Sequence, residues 1–408
     1  MKNVFGLLLT VLLLSEASSI QAQPAVTWKK TPLQGAGMIT SIAAYGGLVL
    51  AGTYTKGIYQ SADGGGSWEQ VNNGLTSMEI HALIIDDMHG VVIAGTARGA
   101  FKSTDWGTTW LPINGGLSSS GQNIEALAIM AANGLIAAGT NDGVYYLSPN
   151  ASSWTAAGLQ GKQVMAVTFD NASQIYAATV LPDALYHAAI TSKNWTRSLT
   201  SITGVLAMTA STPQRIFAAS STVYASTDMG TTWNPTSYTS TIIFTLIHGL
   251  SGEIFVGDEG GVSASYNGGS TWAHLGIGEA PSQATALAID DQGTLFAGTY
   301  GGAVYTSGTF SSGVDGAVTG VEAGSLGQSY PNPAQAQTTI PFSLRHGSDV
   351  RMTIVDPLGR TITTITPGRL EAGPHTLDID LGPIRSGVYL YRLQADGIDA
   401  TRMMTIVR

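Results

Sequence analysis

The chain has 408 residues, 11% of them charged, with 51 glycines and no cysteine. That length allows two or three domains. Without cysteine there can be no disulfide, thiol nucleophile, cysteine–zinc site or cysteine-linked lipid anchor. A formal net charge of −9 argues against nucleic acid as a partner. Low charge with aromatics present argues for a folded, β-rich chain rather than a disordered one.

In chain order, the first feature is "MKNVFGLLLTVLLLSEASSIQAQ". Lys2 precedes an apolar core from Val4 to Leu14, and small and polar residues follow up to Ala22. This predicts a secretory signal peptide over residues 1–22. Its apolar run is too short to span a bilayer, and no later stretch is long and apolar enough for a membrane helix.

Tryptophans then punctuate the chain at Trp28, Trp68, Trp110, Trp154, Trp195, Trp233 and Trp272, at gaps of 38 to 44 residues. Each gap holds four short strand patterns, for example "IHALII", "GVVIAGT", "GAFKS" and the residues that follow Trp110. A period near 40 with four strands predicts a repeat, and seven units fit residues 23–310 as a seven-bladed β-propeller. The first strand of each unit carries a small residue at one place: Ser41, Ala82, Ala126, Ala166, Ala207, Thr245 and Ala286. Innermost strands crowd the axis, where little side-chain volume fits. The seventh unit ends without a fourth strand, and a spare one, "AVTWKK" (25–30), precedes the first unit. The N-terminal strand is therefore expected to close the last blade and hide two sheet edges.

One phrase recurs between the third and fourth strands: "SADGGGSW" (61–68), "STDWGTTW" (103–110), "STDMGTTW" (226–233) and "SYNGGSTW" (265–272). It reads as a turn. Asp63, Asp105, Asp228 and Asn267 can accept hydrogen bonds from following backbone N–H groups, the glycines can take positive φ, and Trp68, Trp110, Trp233 and Trp272 can anchor the outer strand. In the third and fourth units the phrase has decayed to "SPNASSW" and "TSKNW". The pattern Ser-x-Asp-x-Gly-x-Thr-Trp resembles the Asp-box, or BNR repeat. That repeat occurs in sialidase-like propellers, xyloglucanase-type glycosidases, sortilin-type receptors and propeller factors of photosystem II assembly. The resemblance covers about residues 25–310. It implies the propeller fold and a structural role for the phrase, since in that family these turns lie away from the catalytic face.

Ligand-binding residues are expected in the turns between second and third strands: Tyr54, Lys56, Arg98, Asp142, Asp183, Asp258, Glu259 and Tyr300. They form a mixed aromatic and charged set suited to a glycan or protein ligand, although exposed turns carry such residues in any case. His81 and Glu125 hold the same place in adjacent units, either for proton transfer or as a structural hydrogen bond. Glycosidases need paired carboxylates, and sialidases an arginine cluster with a tyrosine nucleophile. The propeller has only Arg98, Arg197 and Arg215, lacks the Arg-Ile-Pro signature of sialidases and has nearly minimal blades. No catalytic residue, metal site or cofactor is expected, and a glycoside hydrolase of the sialidase or xyloglucanase-like class is the rival reading.

Residues 311–328 read as a flexible linker. From 329 to 408 there are eight arginines, no lysine and seven acidic residues, or +1, against nine basic and nineteen acidic residues over 23–328, or −10. Short alternating segments such as "DVRMTIVD" and "GVYLYRLQ" predict a small immunoglobulin-like β-sandwich. "SYPNP", "DPLGR", "SGVYLYRL" and "TRMMTIVR" resemble, in that order, the type A C-terminal sorting domain of the type IX secretion system. The resemblance implies secretion machinery as a partner and an extracellular or outer-surface location in a Bacteroidota-like Gram-negative bacterium. The whole chain then reads as a secreted all-β protein with a non-enzymatic binding or scaffold role.

Overall fold

A computed structural model describes residues 26–170, 174–180, 184–198, 202–211, 215–250, 252–275, 283–309, 325–326, 329, 334, 337–356, 360–382, 384–385, 387–395 and 398–406. The expected signal segment, most of the expected linker and Asp183 lie outside these residues.

Seven four-stranded antiparallel sheets follow one another along the described chain. Blade 2 is representative, with Ile80–Asp86, Val91–Thr96, Gly99–Ser103 and Leu111–Pro112 paired in sequence order. In blade 7 the fourth place is taken by Trp28–Lys30, which pairs antiparallel with Val304–Thr309 in the register Trp28↔Ser307 and Lys30↔Tyr305. The first strands of successive blades pack side by side all the way round, and the seventh meets the first. The chain is therefore a closed seven-bladed propeller, sealed by its N-terminal strand.

The second strands form the middle of the core. All six residues of Leu48–Thr53 and of Val91–Thr96 are buried, because both faces of each blade are covered by neighbours. Successive residues serve different interfaces: Leu50 packs with Phe101 and Trp110, whereas Val49 and Ala51 pack with Ile39 and Phe296. The "AGT" wording follows from the spacing between blades. A Cβ on Gly95 would stand 2.6 Å from Ile124 Cγ2 of the next blade, and Gly52 and Gly298 face Ile80 and Ile39 in the same way.

The first strand contains a feature that periodicity alone does not show. Its pairing with the second strand slips between Ile39 and Ser41, Ile80 and Ala82, Ile124 and Ala126, Val164 and Ala166, Ile243 and Thr245, and Ala284 and Ala286. The small-residue column thus directly follows a β-bulge, a device that re-aims one side chain. The bulged residues are Thr40, His81, Glu125, Met165, Phe244 and Thr285. Three of them reach the next blade: Thr285 Oγ1 donates to Ile39 O (2.5 Å), Thr40 Oγ1 to Ile80 O (2.5 Å), and His81 Nδ1 lies 3.0 Å from Ile124 O.

The recurring phrase is a turn on the side of the ring opposite the turns between second and third strands. In the second blade Ser103 Oγ donates to Asp105 Oδ1 (2.7 Å) and accepts from Gly107 N (2.7 Å). Asp105 then takes Thr109 N (2.8 Å) and Thr109 Oγ1 (2.6 Å). The Asp63 and Asp228 turns repeat these bonds. Burial alone would raise these three carboxyls, but the accepted hydrogen bonds outweigh it and hold each below its usual range. Asn267 does the same job uncharged: its Oδ1 accepts Thr271 N (2.9 Å), while its Nδ2 donates to Thr271 Oγ1 (2.8 Å). The residue after the acidic position is left-handed even where it is not glycine, at Trp106 (φ 62°) and Met229 (φ 56°).

The closing tryptophans stitch blades together. Trp110, Trp154, Trp195 and Trp28 donate their indole N–H to Val71, Ile113, Ala157 and Leu275 of the preceding blade's outer segment. Trp154 and Trp195 keep this bond although their turns have lost the acidic residue. Trp233 and Trp272 instead bond within their own turns.

The tail is a two-sheet sandwich. Ser325–Leu326, Gln337–Leu344 and Gly373–Asp380 form one sheet, and Thr361–Leu370, Ser348–Val355, Gly387–Ala395 and Ile398–Ile406 form the other. Ile340, Phe342, Met352, Ile354, Tyr391 and Leu393 fill the space between. No helix among the described residues is long and apolar enough to cross a membrane.

Candidate functional site

The propeller's axis holds an apolar channel of about 640 Å³ in its half nearer the recurring turns, walled by first-strand residues such as Leu83, Leu127, Val167, Met208 and Leu287. The opposite mouth is different. A polar cavity of about 590 Å³ opens there across blades 2 to 4, lined by Ala97, Arg98, Ser119, Ser120, Gln122, Asn123, Asn141 and Gln163.

Each lining group has a local cause. Arg98 sits in the tight turn between second and third strands of blade 2, held by Thr96 Oγ1 accepting from Arg98 N (3.1 Å). Its exposed guanidinium makes no ion pair among the described residues. Ser119, Ser120 and Gln122 come from the link between blades 2 and 3, where Ser120–Gln122 winds into a short 3₁₀ turn. Asn123 and Gln163 each stand two residues before a bulged residue, Glu125 and Met165, at the entrance to the first strands of blades 3 and 4.

Beneath this mouth lies a connected acid–imidazole cluster. His81 Nε2 is 3.3 Å from Glu79 Oε1, and His81 Nδ1 is 3.4 Å from Glu125 Oε2 as well as 3.0 Å from Ile124 O. Glu125 Oε1 accepts from Asn123 Nδ2 (3.1 Å) and Gln163 Nε2 (3.4 Å). A carboxylate can only accept, so these contacts fix both amides with nitrogen toward Glu125. Glu125 is thereby an acceptor in a bulge column where Thr285, Thr40 and His81 reach the next blade's carbonyl. Its side chain takes the amide of Gln163 from blade 4 instead of donating to a blade 4 carbonyl. Turned this way, Asn123 leaves its Oδ1 shut from solvent with no hydrogen-bond partner among the described residues, and Asn141 Oδ1 beside it is likewise without one.

The expected ligand residues divide into three groups. Arg98 lies on the cavity. Tyr54, Lys56, Glu259 and Tyr300 are exposed on the same face, with Tyr54 and Tyr300 on adjacent blades 1 and 7. Asp142 and Asp258 are occupied by the fold. Asp142 accepts from Ser118 Oγ (2.5 Å), Gly161 N (2.7 Å) and Tyr145 OH (3.2 Å), and the Ser118 and Gly161 bonds chiefly hold its carboxyl below the usual range. Asp258 is buried and accepts from Tyr238 OH (2.8 Å), Gly260 N (2.8 Å) and Gly261 N (3.0 Å). Glu79, Asn123, Asn141 and Gln163 were not among the expected residues. One signal was available: the column just before the residue preceding each bulge position reads Met38, Glu79, Asn123, Gln163, Gly204, Ile242 and Gln283 down the repeat, and it turns polar at blades 2, 3 and 4 in succession.

No group of three or more metal-binding side chains is found among the described residues. Glu79 and Glu125 are separated by the width of one imidazole and two such contacts, no farther apart than the roughly 5–9.5 Å between glycosidase carboxylates. The space between them, however, is filled by His81, where a scissile bond and its water would need to lie.

Comparison with known proteins adds the following. Residues 328–407 match the family described as a secretion system C-terminal sorting domain. That tail implies type IX secretion, to the cell surface or the extracellular space of a Bacteroidota-type bacterium. No characterised, curated protein matches the chain by sequence. Among solved structures, YCF48 from Cyanidioschyzon merolae is 14% identical with a TM-score of 0.53, covering 68% of this chain and 98% of its own. A structure of YCF48 bound to D1 peptide is 16% identical with a TM-score of 0.58, covering 71% and 98%. Streptogramin B lyase is 13% identical with a TM-score of 0.58, covering 69% and 97%. At these identities the likeness establishes the propeller fold alone.

Proposed function

We propose that the chain is a surface-exposed or extracellular glycan-binding propeller without catalytic activity, exported by its signal segment and sorting tail, and that its ligand sits in the polar cavity across blades 2 to 4. The supporting observation is the composition of that cavity. Serine hydroxyls and asparagine and glutamine amides each both donate and accept hydrogen bonds, as sugar hydroxyls do, and the unpaired Arg98 guanidinium adds five donors at the rim. Asn123 and Asn141 each hold a sealed, unpartnered carbonyl oxygen, at a cost of about 1–3 kcal/mol apiece. A ligand hydroxyl that donates to Asn141 Oδ1 would recover that cost there, while Asn123 is held by its bond to Glu125. Tyr54 and Tyr300 supply exposed rings on the same face for stacking against a longer saccharide.

The rival reading, a glycoside hydrolase, draws on the Glu79–Glu125 pair. The imidazole between them and the hydrogen bonds that engage Glu125 from two sides support binding over hydrolysis.

A glycan array probed with the purified chain, read for both retention and release of sugar, tests the proposal. Retention without release is expected, together with loss of retention in Arg98→Ala. Turnover of any glycan would replace the binding reading with the enzymatic one, and an array with no retention would remove the glycan.

A further inference from the structure

A second polar constellation lies on the other side of the ring, at the seam between blades 7 and 1. Asp291 is in the turn joining Ala284–Ile289 to Thr294–Thr299. Its Oδ1 accepts Gly46 N (2.9 Å) from the matching turn of blade 1. Its Oδ2 accepts Arg402 Nη1 (2.6 Å), and Arg402 belongs to the last strand of the tail, Ile398–Ile406. Arg402 also donates Nε to Leu326 O (2.7 Å) in the tail's leading strand. Both partners are largely withdrawn from water, with side chains 29% and 14% exposed. The surroundings extend the contact. Tyr45 stacks on Trp106 of the neighbouring blade's recurring turn (centroids 6.4 Å apart, 4° between planes), hydrogen-bonds with Asp87, and lies within electrostatic range of Asp291 and Arg402. On the tail side Tyr391, which accepts Ser329 N (2.8 Å), feels the same two charges.

We propose that this face of the propeller is a docking surface for the chain's own sorting domain, anchored by Asp291 and Arg402. Local charge complementarity favours that partner: Asp291, with Asp87 nearby, on a propeller of net −10 faces Arg402 of a tail whose side-chain cations are eight arginines and no lysine. Asp291 is well suited to the role because one carboxylate binds two things at once: its first oxygen holds the ring's closing seam, and its second the tail. The geometry has two consequences. Arg402 falls within the terminal "TRMMTIVR" segment, so docking engages part of the sorting signal while the propeller is folded. The cavity lies on the opposite face and stays open, so the undivided chain can bind ligand before any removal of the tail, and removal uncovers an acidic, aromatic patch of Asp87, Asp291 and Tyr45.

The test uses the full chain with a protease site placed within residues 311–324. After cutting, size-exclusion chromatography at rising salt shows whether the two halves stay together. They are expected to co-elute at low salt and to part as salt screens the contact. Asp291→Asn keeps an acceptor for Gly46 N but loses the charge, and should weaken association of the cut halves roughly tenfold. Asp291→Arg should separate them, and adding Arg402→Asp should restore association, which a merely misfolded variant would not do. Wild-type halves that separate at once after cutting, or an Asp291→Asn chain that holds its tail as well as wild type, would overturn the proposal.

Discussion

Replacing Asp105 isolates what the recurring turn contributes. In Asp105→Ala the turn loses three accepted hydrogen bonds, from Thr109 N, Thr109 Oγ1 and Ser103 Oγ, and Ser103 loses the partner that orients it toward Gly107 N. Buried bonds to a charge contribute about 1.5–3 kcal/mol each, but Asp105 is exposed and water replaces much of this. About 0.5–1 kcal/mol per bond is left, or roughly 1.5–3 kcal/mol for the substitution. Asp105→Asn should cost less than about 1 kcal/mol, because blade 6 already builds the same turn on Asn267. All eight tryptophans lie before residue 310, so urea unfolding followed by tryptophan emission reports the propeller alone, and the midpoint should fall at unchanged slope. The charge enters only in acid. The hydrogen bonds outweigh burial and lower the Asp105 carboxyl, so its stabilisation is present at neutral pH and fades as pH falls below the ordinary aspartate range. The gap between wild type and Asp105→Ala should therefore persist to about pH 4 and shrink below it. An asparagine variant as unstable as the alanine one would mean that charge, not acceptor geometry, fastens the strand. No loss in either would mean that the turn fastens nothing.

Three further outcomes follow from the same structure. Gly95→Ala should lower propeller stability by about 1–3 kcal/mol, because its Cβ would meet Ile124 at 2.6 Å across the blade interface; urea titration checks this, and an unchanged midpoint would show that the blades can part at no cost. Burial raises Asp290 to about 6, against hydrogen bonds from Thr294 N and Gln292 N that both reach its Oδ1. Its native carboxyl binds a proton more readily than the unfolded one, so the penalty is absent below about pH 4 and complete above about pH 6. Asp290→Asn keeps one oxygen for both bonds, and should melt higher than wild type at pH 7.5 by up to about 3 kcal/mol, with no advantage at pH 4; an equal shift at both pH values would exclude titration as the cause. Deleting residues 329–408 should leave the propeller in the periplasm on cell fractionation, and its arrival in the medium would separate export from the tail.

Much of the fold was legible because the closing tryptophans mark one structural event per blade. Trp154 and Trp195 kept the count even where the turn had decayed, since their indole bonds to Ile113 and Ala157 do not need the acidic residue. The small-residue column pointed to the axis, and the spare N-terminal strand to the closure. The bulge was hidden, because inserting one residue into Ile80–His81–Ala82 leaves composition and spacing unchanged and alters only where His81 points. The cavity was harder still. Ser119, Ser120 and Gln122 come from an inter-blade link, "NGGLSSSGQNI", that is two residues longer than its counterpart "NNGLTSMEI" between blades 1 and 2, and Asn141 is an uncharged residue beside Asp142 in an exposed turn. Asp142 and Asp258 are charges on exposed turns, yet Asp142 is held by Ser118, Tyr145 and the Gly161 N–H of the next link, and Asp258 by Tyr238 and the N–H groups of its own turn. A carboxylate beside glycines is as good a clasp as a ligand contact, and the two differ only in which donors the fold brings to it.

The most direct measurement is calorimetric titration of the undivided chain with the strongest glycan retained on an array, followed by chromatography of the same sample. One site per chain, glycan recovered intact and affinity reduced at least tenfold in Arg98→Ala are the results expected of a binding propeller that uses the cavity across blades 2 to 4. Cleaved glycan, or an Arg98→Ala chain that binds as well as wild type, would contradict it.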